Sequence, residues 1–521
     1  MPCSSRSRFG RVVATIPLVA AVALAGTGSS QARQDQPAGN DLAVEVLTTE
    51  VDDPTAVAAA RDGRVVIAER TGRIKVLRRD GSLVEAGRIP VAAAPCADCA
   101  EPLPEEGGLH GLELAPGFTV SGRIYAYYSV PRTVAISGNA PDEGLFRLAT
   151  FTLTDDNRLV LDSEKTIIEV PNEWFTCCHY SGDIEFLPDG TLLLSTGDDT
   201  SPRLEGWNPR DKRPGMHAYN ADRTSNNPAD RRGKLLRMMP DGSVPDGSQR
   251  GIAANPHVGD KRYDPYVFAM GFRNPYRIAV DPATGYTFVG NVGPDAAADD
   301  PNRGPRGYDE IETVPPGGGT HHGWPRCIAD NKSYRDYDYA TGQGGTLLSC
   351  EGMTPATVYY PYGASKRWPE LGDVGGRTAM AGVVYRYRGD GRYRLPDAYR
   401  GKFFFLEWSR DLTATLPVTG TGRLDTRNLA LATTKMFHPI DADIGPDGAI
   451  YLAEYGRGFY SNSDSRISRI VPAAKATSAA VPSGPSGGSS EPGLLGTVGA
   501  PLALGALGVL LLTRRRLVHT V

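Results

Sequence analysis

A short unit recurs along this chain and limits what it can fold into: a β-type run, a glycine-containing turn, and a second β-type run. One copy covers 57–77, with Val65-Val66-Ile67-Ala68-Glu69 set between the Arg61-Asp62-Gly63 and Thr71-Gly72 turns. Others cover 112–129, 184–197, 278–293, 399–416 and 442–456. Alternating apolar residues bounded by such turns read as hairpin strands. A lone hairpin cannot bury its apolar face, so repeated ones stack as small sheets around a channel. The expected fold is therefore all-β, a six-bladed β-propeller; a β-sandwich or two β domains is the other reading of the same pattern. The 61 glycines and 41 prolines, and the scarcity of amphipathic helical stretches, agree with it. Uneven spacing of the units calls for long inserted loops, notably 199–232 and 294–360. Long loops on a rigid scaffold are where function usually sits.

The two ends have their own character. Arg6, Arg8 and Arg11 precede an apolar run to about Ala25, and Ser30-Gln31-Ala32 fits a small-x-small cleavage site. Residues 1–32 thus read as a secretory signal peptide, with an uncleaved anchor as the alternative. The propeller is assigned to 40–472. Residues 473–493 are rich in Ala, Ser, Pro and Gly and suit a flexible linker. Residues 494–512 are uncharged and apolar, close to the ~20 residues that span a bilayer, so they read as a transmembrane helix. Arg514-Arg515-Arg516 follows and assigns 513–521 to the cytoplasm. The expectation is an exported protein anchored at the cell surface by that helix.

Six of the seven cysteines lie beyond the signal segment, an even number that in an exported chain reads as disulfides. The pairing expected is Cys96–Cys99, Cys177–Cys178 and Cys327–Cys350, with Cys177 and Cys178 bonding separately to Cys96 or Cys99 as the alternative. Cys96-Ala-Asp-Cys99 is followed by Ala100 and not histidine, which excludes haem attachment. A formal net charge of −4, with no basic stripe, argues against a nucleic-acid partner.

A set of motifs then appears in order: Ala68-Glu69-Arg70-Thr71-Gly72-Arg73-Ile74, Gly107-Gly108-Leu109-His110-Gly111-Leu112, and His179-Tyr180-Ser181-Gly182. Gly233-Lys234-Leu235-Leu236-Arg237, Gly271-Phe272-Arg273-Asn274-Pro275, Gly293-Pro294, Asp309-Glu310-Ile311 and His322-Gly323-Trp324-Pro325 follow. Through them the chain resembles the PQQ-dependent glucose/sorbosone dehydrogenases, from about Pro54 to about Ile470. The resemblance implies a six-bladed propeller that oxidises an aldose at its C1 hydroxyl with pyrroloquinoline quinone (PQQ) and calcium.

It also implies roles. His179 becomes the base that takes the hydroxyl proton, for which a neutral imidazole is suited near pH 7; the bland reading is a histidine that hydrogen-bonds a turn. Arg273 and Asn274 become cofactor contacts, the guanidinium stabilising charge that develops on the quinone. Gly293 and Pro294 become calcium ligands through their carbonyls, which suit a hard cation. The acidic residues Asp295, Asp299 and Asp300 read as a solvated loop, and His322 as part of its His-Gly-Trp-Pro turn.

The chain also departs from the family pattern. Late in the family's sequences a lysine and an Arg-x-Arg pair hold the cofactor's carboxylates. Here the matching segments are Trp408-Ser409-Arg410 and His438-Pro439-Ile440-Asp441. Arg410 is left to replace the lysine, and the pair is missing. The family's glutamine near the glycine-rich motif is Glu106, read as a cofactor-site residue, and Cys178 replaces the acid before His179. The expected partners are a sugar, the membrane and a respiratory electron acceptor. The alternatives are a non-catalytic carbohydrate- or partner-binding propeller and a calcium-dependent lactone hydrolase.

Overall fold

A ring of six inner strands organises the molecule. The computed structural model describes residues 41–93, 106–132, 143–173, 178–201, 206–373, 375–458 and 460–476. Among them, six antiparallel-based sheets of four or five strands succeed one another. Blade 1 holds Pro54–Ala59, Val65–Glu69, Arg73–Leu77 and Leu83–Arg88; blade 2 begins at Leu109–Leu114, blade 3 at Ile184–Phe186 and blade 4 at Pro275–Val280. Blades 5 and 6 begin at Ala379–Val384 and Pro439–Ile444. Each of these first strands packs on the first strand of the next blade, and the sixth returns to the first. The ring closes through the chain's early strand Leu42–Thr48, which pairs antiparallel with Arg466–Pro472 and completes blade 6. This is the expected all-β six-bladed propeller.

Apolar side chains fill the gaps between blades. Val66 and Ile74 of blade 1 pack with Leu109, Ile124 and Phe151 of blade 2. Phe288 of blade 4 meets Phe403 of blade 5 with ring centroids 4.8 Å apart. Fully burying one such side chain contributes about 1.5–3 kcal/mol, so these seams hold the ring. Carboxylates add a second joint near the axis. Asp441 and Asp443 of blade 6 accept the Val57 and Ala59 amides of blade 1 at 2.8 and 2.7 Å. Asp183 accepts the Ile278 amide at 2.8 Å, and Asp309 the Ala379 amide at 2.8 Å. Each pairs an inner-strand N–H that would otherwise be a buried orphan donor.

Five of the six predicted units begin on a blade's innermost strand. The fifth, at 399–416, covers the second and third strands of blade 5, Lys402–Glu407 and Leu412–Pro417. The first strand, Ala379–Val384, lies beyond a long connection that hides the hairpin. The 294–360 stretch is not all loop. It contains Asp309–Val314 and Val358–Tyr360 of blade 4, and Thr320–His321, which joins blade 3 parallel to Val267–Met270. Glu310 and Glu312 disguised the first of these strands. Both are buried, Glu310 accepting from the Asn291 side chain at 3.0 Å and Glu312 pairing with the His322 ring at 2.8 Å.

The predicted Cys327–Cys350 disulfide is present, with Cα atoms 5.9 Å apart. Cys178 is disulfide-bonded to a cysteine outside the described residues, where Cys96, Cys99 and Cys177 all lie. The predicted signal segment, most of the linker, the apolar run at 494–512 and the tail also lie outside them. Among the described residues, no helix is long and apolar enough to cross a membrane.

Candidate active site

One end of the ring carries a cavity of about 450 Å³ whose wall includes Glu106, His179, Arg273, Asn274 and Arg377. His179 precedes the first strand of blade 3 in a left-handed backbone conformation, φ 72°, which is uncommon outside glycine. Three neighbours hold it there. Its amide donates to Glu106 Oε2 at 2.7 Å, and the Tyr180 amide reaches the same oxygen at 3.2 Å. The His179 carbonyl lies against Gly197, where any Cβ would collide with it. The ring Nδ1 lies 2.6 Å from Asp198 Oδ1.

Asp198 is completely buried and ties several elements together. Its Oδ1 also accepts the Thr200 amide at 3.0 Å, and its Oδ2 accepts the indole N–H of Trp324 at 2.7 Å. Its own amide donates to the Arg273 carbonyl at 2.7 Å. A carboxylate fixed in this way holds Nδ1 as the N–H tautomer, so Nε2 is the basic nitrogen of His179. His179 is itself only 4% exposed. Burial pushes the Glu106 carboxyl above its ordinary value, against the opposing pull of His179, the two amides and Arg273.

Arg273 and Asn274 lie across the cavity. Both of their amides donate to Asn291 Oδ1, at 3.2 and 3.0 Å, which fixes the turn that carries them. Arg273 donates to the Val292 carbonyl at 3.1 Å and stands 3.7 Å from Asp295. Its Nε and the Asn274 Oδ1 are buried and have no hydrogen-bond partner among the described residues. A buried polar atom left unpaired costs about 1–3 kcal/mol, and such atoms in a cavity wall are suited to a polar ligand. Tyr276, Tyr362, Trp408, Tyr455 and Tyr460 supply flat aromatic surface around the same space.

Four predicted residues, His179, Arg273, Asn274 and Glu106, therefore come together. Three do not reach the cavity. The guanidinium of Arg410 donates to the carbonyls of Gly376, Leu371, Pro361 and Gly363 at 2.9–3.0 Å and fastens loops behind the wall. The family pattern in Trp408-Ser409-Arg410 suggested a cofactor cation, but in the turn after Lys402–Glu407 its guanidinium is committed to these carbonyls. Gly293 and Pro294 lie behind Arg377, which donates to the Pro294 carbonyl and to Asp309. Sequence reasoning gave no role to Arg377 or Asp198. Asp198 had a signal in the Gly197-Asp198-Asp199 turn, whereas nothing local marks Arg377.

The chain is 27% identical over 235 residues to an uncharacterized protein of Synechocystis, slr1608, covering 44% of this chain and 46% of that one. It is 26% identical over 282 residues to aldose sugar dehydrogenase YliI of Escherichia coli, covering 54% of this chain and 61% of YliI. The matched segments thus span only part of either relative. In fold, it is similar to the PQQ-bound aldose sugar dehydrogenase of Streptomyces coelicolor, with a TM-score of 0.52 at 20% identity, covering 82% of this chain and 98% of that one. Residues 51–365, more than half of the chain, match the family described as Glucose / Sorbosone dehydrogenase, and the chain belongs to that family.

Proposed function

We propose that the protein is a quinoprotein oxidoreductase that oxidises the C1 hydroxyl of an aldose, with PQQ held in the cavity. The observation that carries this reading is the His179–Asp198 pair facing Arg273 and Asn274 across one aromatic-lined space. The residues fit the cofactor. Flat aromatic walls suit a planar ring system, and the unpaired Nε of Arg273 and Oδ1 of Asn274 offer polar contacts to its edge. PQQ, when bound, supplies the acceptor for the hydride that leaves C1.

The chain's own residues handle the proton. Nε2 of His179 takes it from the C1 hydroxyl as the C–H bond breaks, and Asp198 stabilises the imidazolium that forms. Arg273 supplies positive charge at the place where negative charge accumulates. Glu106 holds the His179 backbone in its left-handed conformation and so fixes the ring's approach. The relation of YliI and the Streptomyces protein to aldose oxidation supports the sugar as substrate class. The apolar run at 494–512 and the arginines after it support a membrane tether that keeps the propeller near a respiratory acceptor.

The commitment of Arg410 to backbone carbonyls favours one rival, a propeller that binds a carbohydrate or another surface partner without catalysis. Titrating PQQ into the purified full-length protein, followed by cofactor absorbance, separates the two. Saturable binding, with aldose oxidation that His179→Ala abolishes, is the result expected. Absence of binding would leave the non-catalytic rival standing, and full turnover by His179→Ala would remove the base from the reading.

A further inference from the structure

The carbonyl that the family resemblance assigns to calcium already faces a cation belonging to the chain. Arg377 extends from the turn before the first strand of blade 5 and is only 4% exposed. One of its terminal nitrogens donates to Asp309 Oδ1 and the other to the Pro294 carbonyl. Asp309 Oδ1 also accepts the Gly293 amide at 3.0 Å, and its second oxygen accepts the Ala379 amide at 2.8 Å. The guanidinium lies 4.2 Å from the centre of the Tyr362 ring, a cation–π distance. Its Nε has no hydrogen-bond partner among the described residues.

This arrangement does not fit a calcium ion. Calcium takes six to eight oxygen ligands at about 2.3–2.6 Å, and a metal on the Pro294 carbonyl would have to share that oxygen with a guanidinium. Arginine does not lose its proton in proteins, so two cations would be held in contact away from water. The guanidinium cannot easily withdraw. Asp309 holds one side of it, Tyr362 covers its face, and Gly307 packs so closely against it and the Pro294 carbonyl that a Cβ would overlap both.

We propose that Arg377 is the resident cation of the cavity, standing where a calcium would stand, so that an anionic ligand is bound without metal. This rests on the reading that the cavity takes PQQ, a tricarboxylate. A guanidinium differs from calcium in offering directed N–H donors, and carboxylates meet such donors in strong, geometrically defined hydrogen bonds. With Arg70 and Arg273 also in its lining, the cavity has three buried guanidiniums to balance the ligand's charge, although the late Arg-x-Arg pair is missing.

The test compares full-length wild-type protein with Arg377→Ser and Arg377→Lys. PQQ affinity is read from quenching of protein fluorescence, in excess EDTA and in millimolar calcium, and calcium alone is titrated calorimetrically into the EDTA-treated proteins. The expected result is one PQQ affinity for wild type in both media and no heat from calcium. Arg377→Ser should bind PQQ about tenfold or more weakly in EDTA, as loss of a charge-assisted pair implies, and recover when calcium is added. Arg377→Lys keeps a cation and should stay independent of calcium, which guards against a serine variant that fails to fold. Wild-type PQQ binding that needs calcium would overturn the proposal, as would equal affinity of wild type and Arg377→Ser in EDTA. PQQ binding to none of the proteins would instead defeat the quinoprotein reading, and the calcium titration would then decide the cation alone. Heat from Arg377→Ser and not from wild type would keep Arg377 as the substitute cation; any other pattern would overturn it.

Discussion

Nδ1 of His179 lies 2.6 Å from Oδ1 of Asp198, a carboxylate without solvent exposure whose other oxygen accepts the Trp324 indole N–H. The pair fixes which ring nitrogen is basic. Replacing Asp198 by Asn keeps the shape but lets an amide N–H face Nδ1, which favours the wrong tautomer. Turnover of an aldose should fall by about 10²–10⁴-fold, the range over which general-base catalysis and its orienting carboxylate act. PQQ affinity should change far less, because Asp198 lies behind the base. Steady-state kinetics alongside cofactor titration checks this, and equal losses in both would show that Asp198 only shapes the cavity.

Gly197 gives a second handle on the same histidine. A Cβ at this position would fall on the His179 carbonyl and would meet the Asn274 side-chain oxygen at 2.9 Å. Gly197→Ala should therefore push His179 out of its left-handed conformation. Overpacking of this kind costs about 1–3 kcal/mol, measurable by urea denaturation. Turnover should drop more steeply than stability, since the base moves with its carbonyl. A variant with wild-type kinetics would mean that the backbone can yield here without moving the ring.

Much of this molecule was legible because its units are local. A hairpin such as 57–77 carries its own alternation and its own turn, so six of them show through long insertions. The motif around His179 was legible for the same reason, as were Arg273 and Asn274, which share one short turn. Arg377 and Arg410 show where local reading stops. Both are arginines near blade 5, and only the folded chain shows which one faces the cavity. Arg410 is turned towards the carbonyls of loops 361–376, while Arg377 is drawn inward by Asp309 and Pro294. These partners lie far away in sequence, on another blade. The blade 4 strand Asp309–Val314 was missed because Glu310 and Glu312 are buried by partners that the local sequence does not display.

Arg410 should behave as a structural residue. Its guanidinium satisfies four loop carbonyls, which lysine with a single nitrogen cannot reach together. Both Arg410→Ala and Arg410→Lys should lower unfolding stability by about 2–4 kcal/mol, from hydrogen bonds to a charged group at about 1.5–3 kcal/mol with partial replacement by water. Chemical denaturation reads this directly. PQQ affinity measured well below the melting transition should remain near wild type; selective loss of affinity in the lysine variant would return Arg410 to the cofactor site.

The axis of the propeller should make stability depend on pH in a defined direction. Glu113 and Glu185, on the inner strands of blades 2 and 3, stand near Asp183, Asp441 and Asp443. Burial, and then the neighbouring carboxylates, push both glutamates well above the ordinary range. Burial likewise raises Asp441 to about 7, against the attraction of Arg277, and Asp443 to about 6. In each case the folded state binds a proton more tightly than the unfolded chain does. The penalty is absent below the unfolded value near pH 4 and grows as pH rises towards the folded value, so stability should fall between about pH 4 and 7 through these groups. Glu113→Gln and Glu185→Gln remove a charge that the fold resists while keeping the side chain's shape. Both should leave the unfolding free energy near wild type at pH 4 and raise it at pH 8, by about 1 kcal/mol or more for each pH unit by which the pKa is displaced. Urea melts at the two pH values give the comparison, and a gain of equal size at both would show that packing, and not charge, sets the effect.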